Sequence, residues 1–147
     1  MKHIAIERFQ VSSEGAENAV LACACYARSL NAAVSIAVVD TGGHLVAFQR
    51  TDGAPFQTRG IAEDKAATAA SFGIPTRALT EALQGHPDLV RNTLQHRPQL
   101  ILLAGGLPIC VDGQVVGAIG VSGTTEDIDE RIAAAGLDAI IAGPSQR

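Results

Sequence analysis

Aromatic residues are scarce in this sequence, which limits the kinds of core and site that the chain can build. They make up 3% of the 147 residues, tryptophan is missing, and the whole set is Phe9, Tyr26, Phe48, Phe56 and Phe72. A core without large rings must be made of tightly packed small side chains, and alanine and valine supply much of the 47% apolar fraction. The scarcity also removes the aromatic platforms on which single-stranded nucleic acids stack.

Basic clusters and long apolar runs are missing too. The net charge is −4 and no run of Lys or Arg occurs, so we expect no nucleic-acid partner, because phosphate binding needs a basic patch. No stretch reaches about 18 uninterrupted apolar residues, and MKHIAIERF has no apolar signal-peptide region, so we expect no membrane partner. Three cysteines without a CxxC pair are typical of a reducing compartment, which predicts a cytoplasmic protein.

The order of the predicted elements indicates an α+β fold in a single domain covering residues 1–147. Helical patterns cover about Ser13–Asn31, Thr58–Phe72, Thr76–Gln84, Asp88–Gln95 and from Thr124 or Thr125 to Ala142. Strand-like runs are Val34–Asp40, His44–Arg50, Leu100–Ala104, Leu107–Val111 and Gln114–Val121, and residues 1–11 predict a short strand or an arm. Short turns such as Asp112-Gly113 join successive strands, which predicts a mainly antiparallel sheet.

Three charged residues and one turn are candidates for binding or chemistry. Arg50 and Asp52 lie two residues apart at a strand end, so an extended backbone points them to one side, although a surface ion pair is the plain alternative. Lys65 lies in an alanine-rich helix, where the alternative is a solvated face. The turn at Gly105 and Gly106 could direct free amides at a ligand carboxylate, or could be an ordinary bulge.

The metal-binding signals of the chain are weak. Cys23 and Cys25 lie on a predicted helix, where residues two apart point about 200° from each other and cannot easily hold one ion. Buried or interface thiols that act as small hydrophobic groups are the plain alternative. The four histidines are scattered without an H-x-x-x-H pair. The identity of any metal ligand therefore stays open.

Six segments, taken in order along the chain, match the motifs of one known family. They are Val34–Asp40 followed by Thr-Gly-Gly-His-Leu, Arg50–Ala54, Ile61–Ala70, Phe72-Gly73 with Pro75-Thr76, Gly105–Ile109 and Val111–Gly123. In combination these segments resemble the GlcG/HbpS-like family, which includes the C-terminal domain of some corrinoid adenosyltransferases. The resemblance extends over about residues 12–142.

This resemblance implies a fold, an assembly and a class of ligand. The fold would be a profilin-like antiparallel five-stranded sheet flanked by helices, and the assembly a homo-oligomer between a dimer and an octamer. Some members bind haem or iron, and others stand beside genes for glycolate, diol or aromatic catabolism. Where some members use a histidine of the first helix as the axial haem ligand, this helix has none and offers Cys23, Cys25 and Tyr26 instead.

The first functional hypothesis is therefore an oligomeric small-molecule-binding protein. Its ligand would be haem or another planar or anionic molecule, held near the first helix with Cys25 or Tyr26 as the ligand to iron, since a thiolate or a phenolate can bind haem iron.

The alternative hypothesis is a small catabolic enzyme, of isomerase or lyase type, that acts on a small organic acid. Arg50 would hold the carboxylate, Asp52 or Lys65 would move a proton, and the amides of Gly105 and Gly106 would stabilise an enolate oxygen. A third hypothesis is an accessory subunit without small-molecule chemistry. The sequence leaves open whether there is any catalysis.

Overall fold

The computed structural model describes residues 3–143 and places helices on both faces of one sheet. Its helices are α1 (Ser13–Ser29), α2 (Thr58–Phe72), α3 (Thr76–Leu83), α4 (Asp88–Gln95) and α5 (Glu126–Ala142). Its strands are β1 (Ser35–Val39), β2 (Leu45–Arg50), β3 (Gly106–Val111) and β4 (Gln114–Ser122). The α+β class is confirmed.

The sheet is antiparallel throughout, in the order β2-β1-β4-β3. The expectation of five strands is wrong for residues 3–143, which form four. The predicted strand at 100–104 is irregular chain with a bend at residues 103–104, held by side chains: the Ile101 amide donates to Thr68 Oγ1 at 3.0 Å and the Ala104 amide to Glu126 Oε1 at 2.8 Å. These partners replace the neighbouring strand that a ladder would need.

The N-terminal segment before α1 is an arm rather than a strand over the residues described. A single backbone bond, from the Val11 amide to the Val116 carbonyl at 2.8 Å, connects it to β4. The side chain of Gln10 bonds to Thr41 at the β1–β2 turn. The arm therefore crosses one end of the sheet without joining it.

Two cores of different character cover the two faces of the sheet. Helices α1 and α5 pack on a face of branched side chains that includes Ile36 and Ile119. Helix α2 packs on the other face, where both sides of the interface are mostly alanine. Alanine permits a very close approach, since a Cβ added to Gly120 of β4 would lie 2.6 Å from the Ala66 amide nitrogen.

The contact between α1 and α5 depends on two small residues. Cys23 is buried, and its Sγ occupies the space that a Cβ on Gly136 would need. Burial raises the pKa of the Cys23 thiol to about 12, because the charged thiolate is penalised in an apolar interior, although a bond with the Gly136 backbone partly opposes this. Cys23 is therefore a neutral packing group, as one interpretation of the sequence held.

The helix ends follow the capping signals of the sequence. Ser12 caps α1 by accepting from the Gly15 amide at 3.0 Å, and Thr125 rather than Thr124 caps α5. Gly73 ends α2 with a φ of 69°, a left-handed conformation that suits glycine. Among residues 3–143, no helix has the length and apolar character needed to cross a membrane.

Candidate functional site

A polar cavity of about 450 Å³ lies where the C-terminal half of α1 meets the end of β2; we refer to it as the α1 cavity. Arg50, the last residue of β2, and Asp52, in the turn that follows, both line it. Arg28 of α1 lines it as well. The cavity therefore carries two guanidinium groups and one carboxylate. Sequence reasoning missed Arg28, although its place in the last turn of α1, just before a loop, was a usable signal.

Cys25 and Tyr26, the two candidate iron ligands, lie on different sides of α1. Cys25 is exposed and precedes Arg28 by three residues, a spacing that makes neighbours on a helix surface. Tyr26 is half-buried, and its hydroxyl accepts a hydrogen bond from Arg131 of α5 at 2.9 Å. Cys25 is therefore a surface neighbour of Arg28 but is not among the residues that line the α1 cavity, and Tyr26 turns toward α5.

Lys65 lies in the interior instead of on a solvated helix face. Its Nζ donates to the Val121 carbonyl at 2.9 Å and to Asp129 Oδ2 at 3.0 Å, and only 2% and 3% of the two side chains are exposed. Asp129 Oδ1 accepts from the amide and the hydroxyl of Thr124, at 2.9 and 2.7 Å. The pair joins α2, β4 and α5, and Lys65 does not line the α1 cavity.

The burial of Lys65 has a signal in the sequence, in the spacing of its alanine neighbours. Lys65 follows Ala62 by three residues and precedes Ala69 by four, so the three share one face of α2. That apolar face is the one that packs on the sheet. Asp129, its partner, lies in the acidic first turn of α5, where its sequence position gives no sign of burial.

Gly105 and Gly106 make room for Lys65. A Cβ on Gly105 would lie 2.9 Å from Lys65 Nζ, and its φ of 127° disfavours other residues. The Gly106 amide donates to Thr76 Oγ1 at 3.0 Å, and the Gly105 carbonyl accepts from the Val121 amide at 2.9 Å. The Gly106 amide is therefore already bonded within the protein, and neither glycine lines the α1 cavity.

The most apolar cavity lies elsewhere, between the N-terminal arm, the β3–β4 hairpin and the end of α5. It measures about 510 Å³, and its apolar lining includes Phe9, Val11, Ile109, Val116 and Ile140. None of the predicted site residues lines it, and among residues 3–143 no His, Cys or Tyr does. Within residues 3–143, no three His, Cys, Asp or Glu side chains group closely enough to hold a metal ion.

The order of motifs seen in the sequence is matched by a family model. The model described as haem degrading protein HbpS-like covers residues 11–138. This chain belongs to the HbpS-like family. Two bacterial relatives extend the match: the Escherichia coli K12 protein GlcG is 41% identical over 65% of this chain and 69% of its own length. An uncharacterised 15.0-kDa protein from the dhaT-dhaS intergenic region of Citrobacter freundii is 36% identical over 76% of this chain and 79% of its own length.

Several solved structures share the fold. The Klebsiella pneumoniae protein ORFY superposes with a TM-score of 0.88 at 32% identity, over 96% of this chain and 97% of that one. HbpS superposes with a TM-score of 0.85 at 35% identity, over 97% of this chain and 96% of that one. A PduOC:heme complex superposes with a TM-score of 0.80 at 24% identity, over 88% of this chain and 94% of that one, which shows a common fold. The family predicted from the sequence motifs is therefore confirmed.

Proposed function

We propose that this protein binds haem, or a closely similar planar anion, at the α1 cavity. Cys25 would supply the ligand to iron, and Arg28 and Arg50 would pair with the two propionates. The observation that carries the proposal is the presence of Arg28 and Arg50 at one cavity, with the exposed thiol of Cys25 three residues before Arg28 on the surface of α1. Cys25 itself is not a lining residue of the cavity. Haem bound there would supply an iron centre, and the chain's own residues would hold and orient it.

Of the three cysteines, Cys25 has the surroundings that suit an iron ligand. A thiolate that binds haem iron must be ionised and accessible. Cys23 meets neither condition, because it is buried and its pKa is raised to about 12. Cys110 is exposed, but it lies on β3, at the sheet edge opposite β2. Tyr26 is the second candidate, since a phenolate also binds haem iron, but its hydroxyl is already bonded to Arg131.

The apolar cavity beside the N-terminal arm fits haem less well than the α1 cavity. Its walls are mostly apolar, as a porphyrin requires, but it has no counterpart of Arg28 and Arg50 among its lining residues. Among residues 3–143, its charged lining residue is Asp112, which would repel a propionate, whereas the α1 cavity sets two arginines against Asp52. The charges that would meet the propionates thus favour the α1 cavity, and Cys25 would bind the iron from the neighbouring surface of α1.

The similar proteins support a haem ligand in general terms. The family model carries the description of a haem degrading protein, and the PduOC structure is a complex with heme. The same fold therefore holds haem in that protein. The position of the site and its ligands in this chain are our proposal, built from the α1 cavity.

We further propose that a second copy of the chain completes the site. The α1 cavity is open and polar, whereas a porphyrin ring needs apolar walls. Leu21 precedes Cys25 by one helical turn and leaves 56% of its surface exposed. The α1 helix of a partner laid across this ridge would cover both Leu21 and the porphyrin, so we expect a homo-oligomer.

Titration of the purified protein with hemin, followed by the Soret band, tests the proposal. We expect saturable binding in wild-type protein, a weaker and spectrally altered complex in Cys25→Ser, and wild-type behaviour in the matched control Cys110→Ser. The Tyr26→Phe variant should also behave as wild type. Binding that is non-saturable, or identical in wild type and Cys25→Ser, would contradict the assignment of the ligand. Size-exclusion chromatography with and without hemin reports the oligomer.

The small-acid enzyme keeps one favourable observation, namely that Arg50 and Asp52 share a cavity. In that hypothesis Arg50 holds the carboxylate and Asp52 alone moves the proton, because Lys65 is buried in its pair with Asp129. The amide of Gly106 is bonded to Thr76 and does not reach this cavity. If the protein fails to bind hemin, the enzyme that acts on a small organic acid becomes the favoured hypothesis.

A further inference from the structure

A second polar cavity, of about 530 Å³, lies on the other side of the sheet from the α1 cavity; we call it the α2 cavity. It forms beside the turn that follows β1, against the C-terminal half of α2 and the chain after α4. Arg50 of the α1 cavity pairs with Ser35 at the start of β1, so the two cavities lie at opposite ends of that strand. They share no lining residue.

One arginine of the α2 cavity comes from the N-terminal arm, at a point where the arm is fixed. The side chain of Gln10 donates to Thr41 Oγ1 at 2.6 Å and accepts from the Thr41 amide at 2.9 Å. The Val11 amide bonds to the Val116 carbonyl at 2.8 Å. Arg8 lies two residues before Gln10 and lines the cavity. Its position is therefore set by bonds at the neighbouring residues, although the arm has no regular structure.

The second arginine comes from the far side of the cavity and is held in a comparable way. Arg97 follows α4, and the chain just after it is attached to α2 through Thr68, whose hydroxyl bonds with the Gln99 carbonyl and accepts from the Ile101 amide. Gln99 has a φ of 61°, which is uncommon for a residue other than glycine. Strained backbone of this kind is often found at binding sites.

The charge of the α2 cavity is positive and unbalanced. Neither Arg8 nor Arg97 has a carboxylate within 4.0 Å among residues 3–143, and no Asp or Glu lines the cavity. The carbonyl end of α2 contributes about half a negative charge nearby, against two full positive charges. Hydroxyl groups of Thr41 and Ser71 lie in the same lining, beside apolar side chains that include Leu94 and Leu100.

We infer that the α2 cavity binds a small organic oxyanion, independently of the α1 cavity. Arg8 and Arg97 bind its carboxylate or phosphate groups, Thr41 and Ser71 bond to its polar oxygens, and its carbon skeleton lies against Leu94 and Leu100. Two arginines from separate segments suit an anion with more than one charged oxygen, since each guanidinium donates several hydrogen bonds in a fixed plane.

Isothermal titration with two probes tests the inference: succinate for a carboxylic acid and glycerol 3-phosphate for a phosphate ester. We expect saturable binding of at least one probe, and the probe that binds more tightly identifies the natural ligand as a carboxylic acid or a phosphate ester. Arg8→Gln and Arg97→Gln should each raise Kd by about tenfold or more, the effect of losing a charge-assisted hydrogen bond. Arg28→Gln, the matched control in the α1 cavity, should leave Kd unchanged. Both target arginines are exposed, and circular dichroism melts verify that the variants fold.

The results that overturn the inference are distinct from those that overturn haem binding. Failure of both probes to bind, or equal Kd values in wild type and the Arg8→Gln/Arg97→Gln double variant, would refute it. Sulfate binding as tightly as both organic probes would show that the carbon skeleton is not recognised. The double variant should still bind hemin as wild type does, so the proposal for the α2 cavity can be refuted without refuting haem binding, and the reverse also holds.

Discussion

The buried ion pair between Lys65 and Asp129 gives the sharpest prediction about the fold. Lys65→Met keeps the length and apolar stem of the side chain but leaves the Asp129 carboxylate without its cation. Both groups are about 97–98% buried and 3.0 Å apart, so water cannot replace the lost partner. Breaking a buried pair by removing one member lowers the free energy of unfolding by about 3–5 kcal/mol.

This loss is large relative to the whole stability of a domain of this size. Native domains are stable by only about 5–15 kcal/mol, so the variant should lose a large part of that margin. At about 2–4 °C per kcal/mol, the unfolding midpoint should fall by roughly 6–20 °C. Thermal and urea unfolding are best followed by far-ultraviolet circular dichroism, because the chain has no tryptophan and one tyrosine.

A surface ion pair of the same protein provides the matched control. Arg77 pairs with Asp127 and Glu130, at 2.7 and 3.2 Å, in contact with solvent. Exposed pairs contribute about 0–1 kcal/mol, so Arg77→Met should change the midpoint little. In a double-mutant cycle, Lys65→Met and Asp129→Asn should be strongly non-additive. Losses for Lys65→Met that match those of Arg77→Met would refute the stabilising role of the buried pair.

Two further predictions concern the backbone and pH. Gly120→Ala should lower the free energy of unfolding by about 3 kcal/mol or more, because the added Cβ would collide with α2. Gly60→Ala, on the open side of α2, should raise it by about 0.5–1 kcal/mol. Urea unfolding of the two variants measures both changes. Burial of Asp40 opposes its ionisation, but bonds from the amides of His44 and Gly42 and the charge of the His44 ring outweigh it and hold the Asp40 pKa below its ordinary value. The carboxylate therefore stabilises the fold at neutral pH, and this contribution is lost as pH falls through the lowered pKa. In melts across pH, Asp40→Asn should be less stable than wild type at pH 7, and the difference should disappear as pH falls through the lowered pKa of Asp40; a constant difference would contradict this sign.

Local signals in the sequence predicted local structure well. The Asp112-Gly113 turn acts within a few residues and joins β3 to β4 as predicted, and the predicted end of α2 at Phe72 agrees with the structure, where Gly73 follows. The strand at 100–104 was wrong because an apolar run does not show what pairs with a segment, and this one is only partly buried, with Leu103 exposed. Here the partners are Thr68 and Glu126, which are distant in the sequence.

The candidate site was predictable only in part, for the same physical reason. Arg50 and Asp52 do line one cavity, but Asp52 lies in the turn after β2, so nearness in the sequence and not strand alternation brings them together. The approach of Arg28 depends on how α1 packs on the sheet, and the bond between Lys65 and Asp129 spans 64 residues. Neither contact leaves a local pattern, apart from the position of Lys65 on the apolar face of α2.

The central claim is that haem binds at Cys25, and a thiol-alkylation footprint tests it most directly. The wild-type protein, with and without one equivalent of hemin, is treated with iodoacetamide and the modified cysteines are counted by mass spectrometry. Cys110, which is exposed on β3, serves as an internal control, and buried Cys23 should stay unmodified in both samples. If Cys25 is the ligand, hemin protects it from alkylation and leaves the labelling of Cys110 unchanged. Equal labelling of Cys25 with and without bound hemin would contradict the claim.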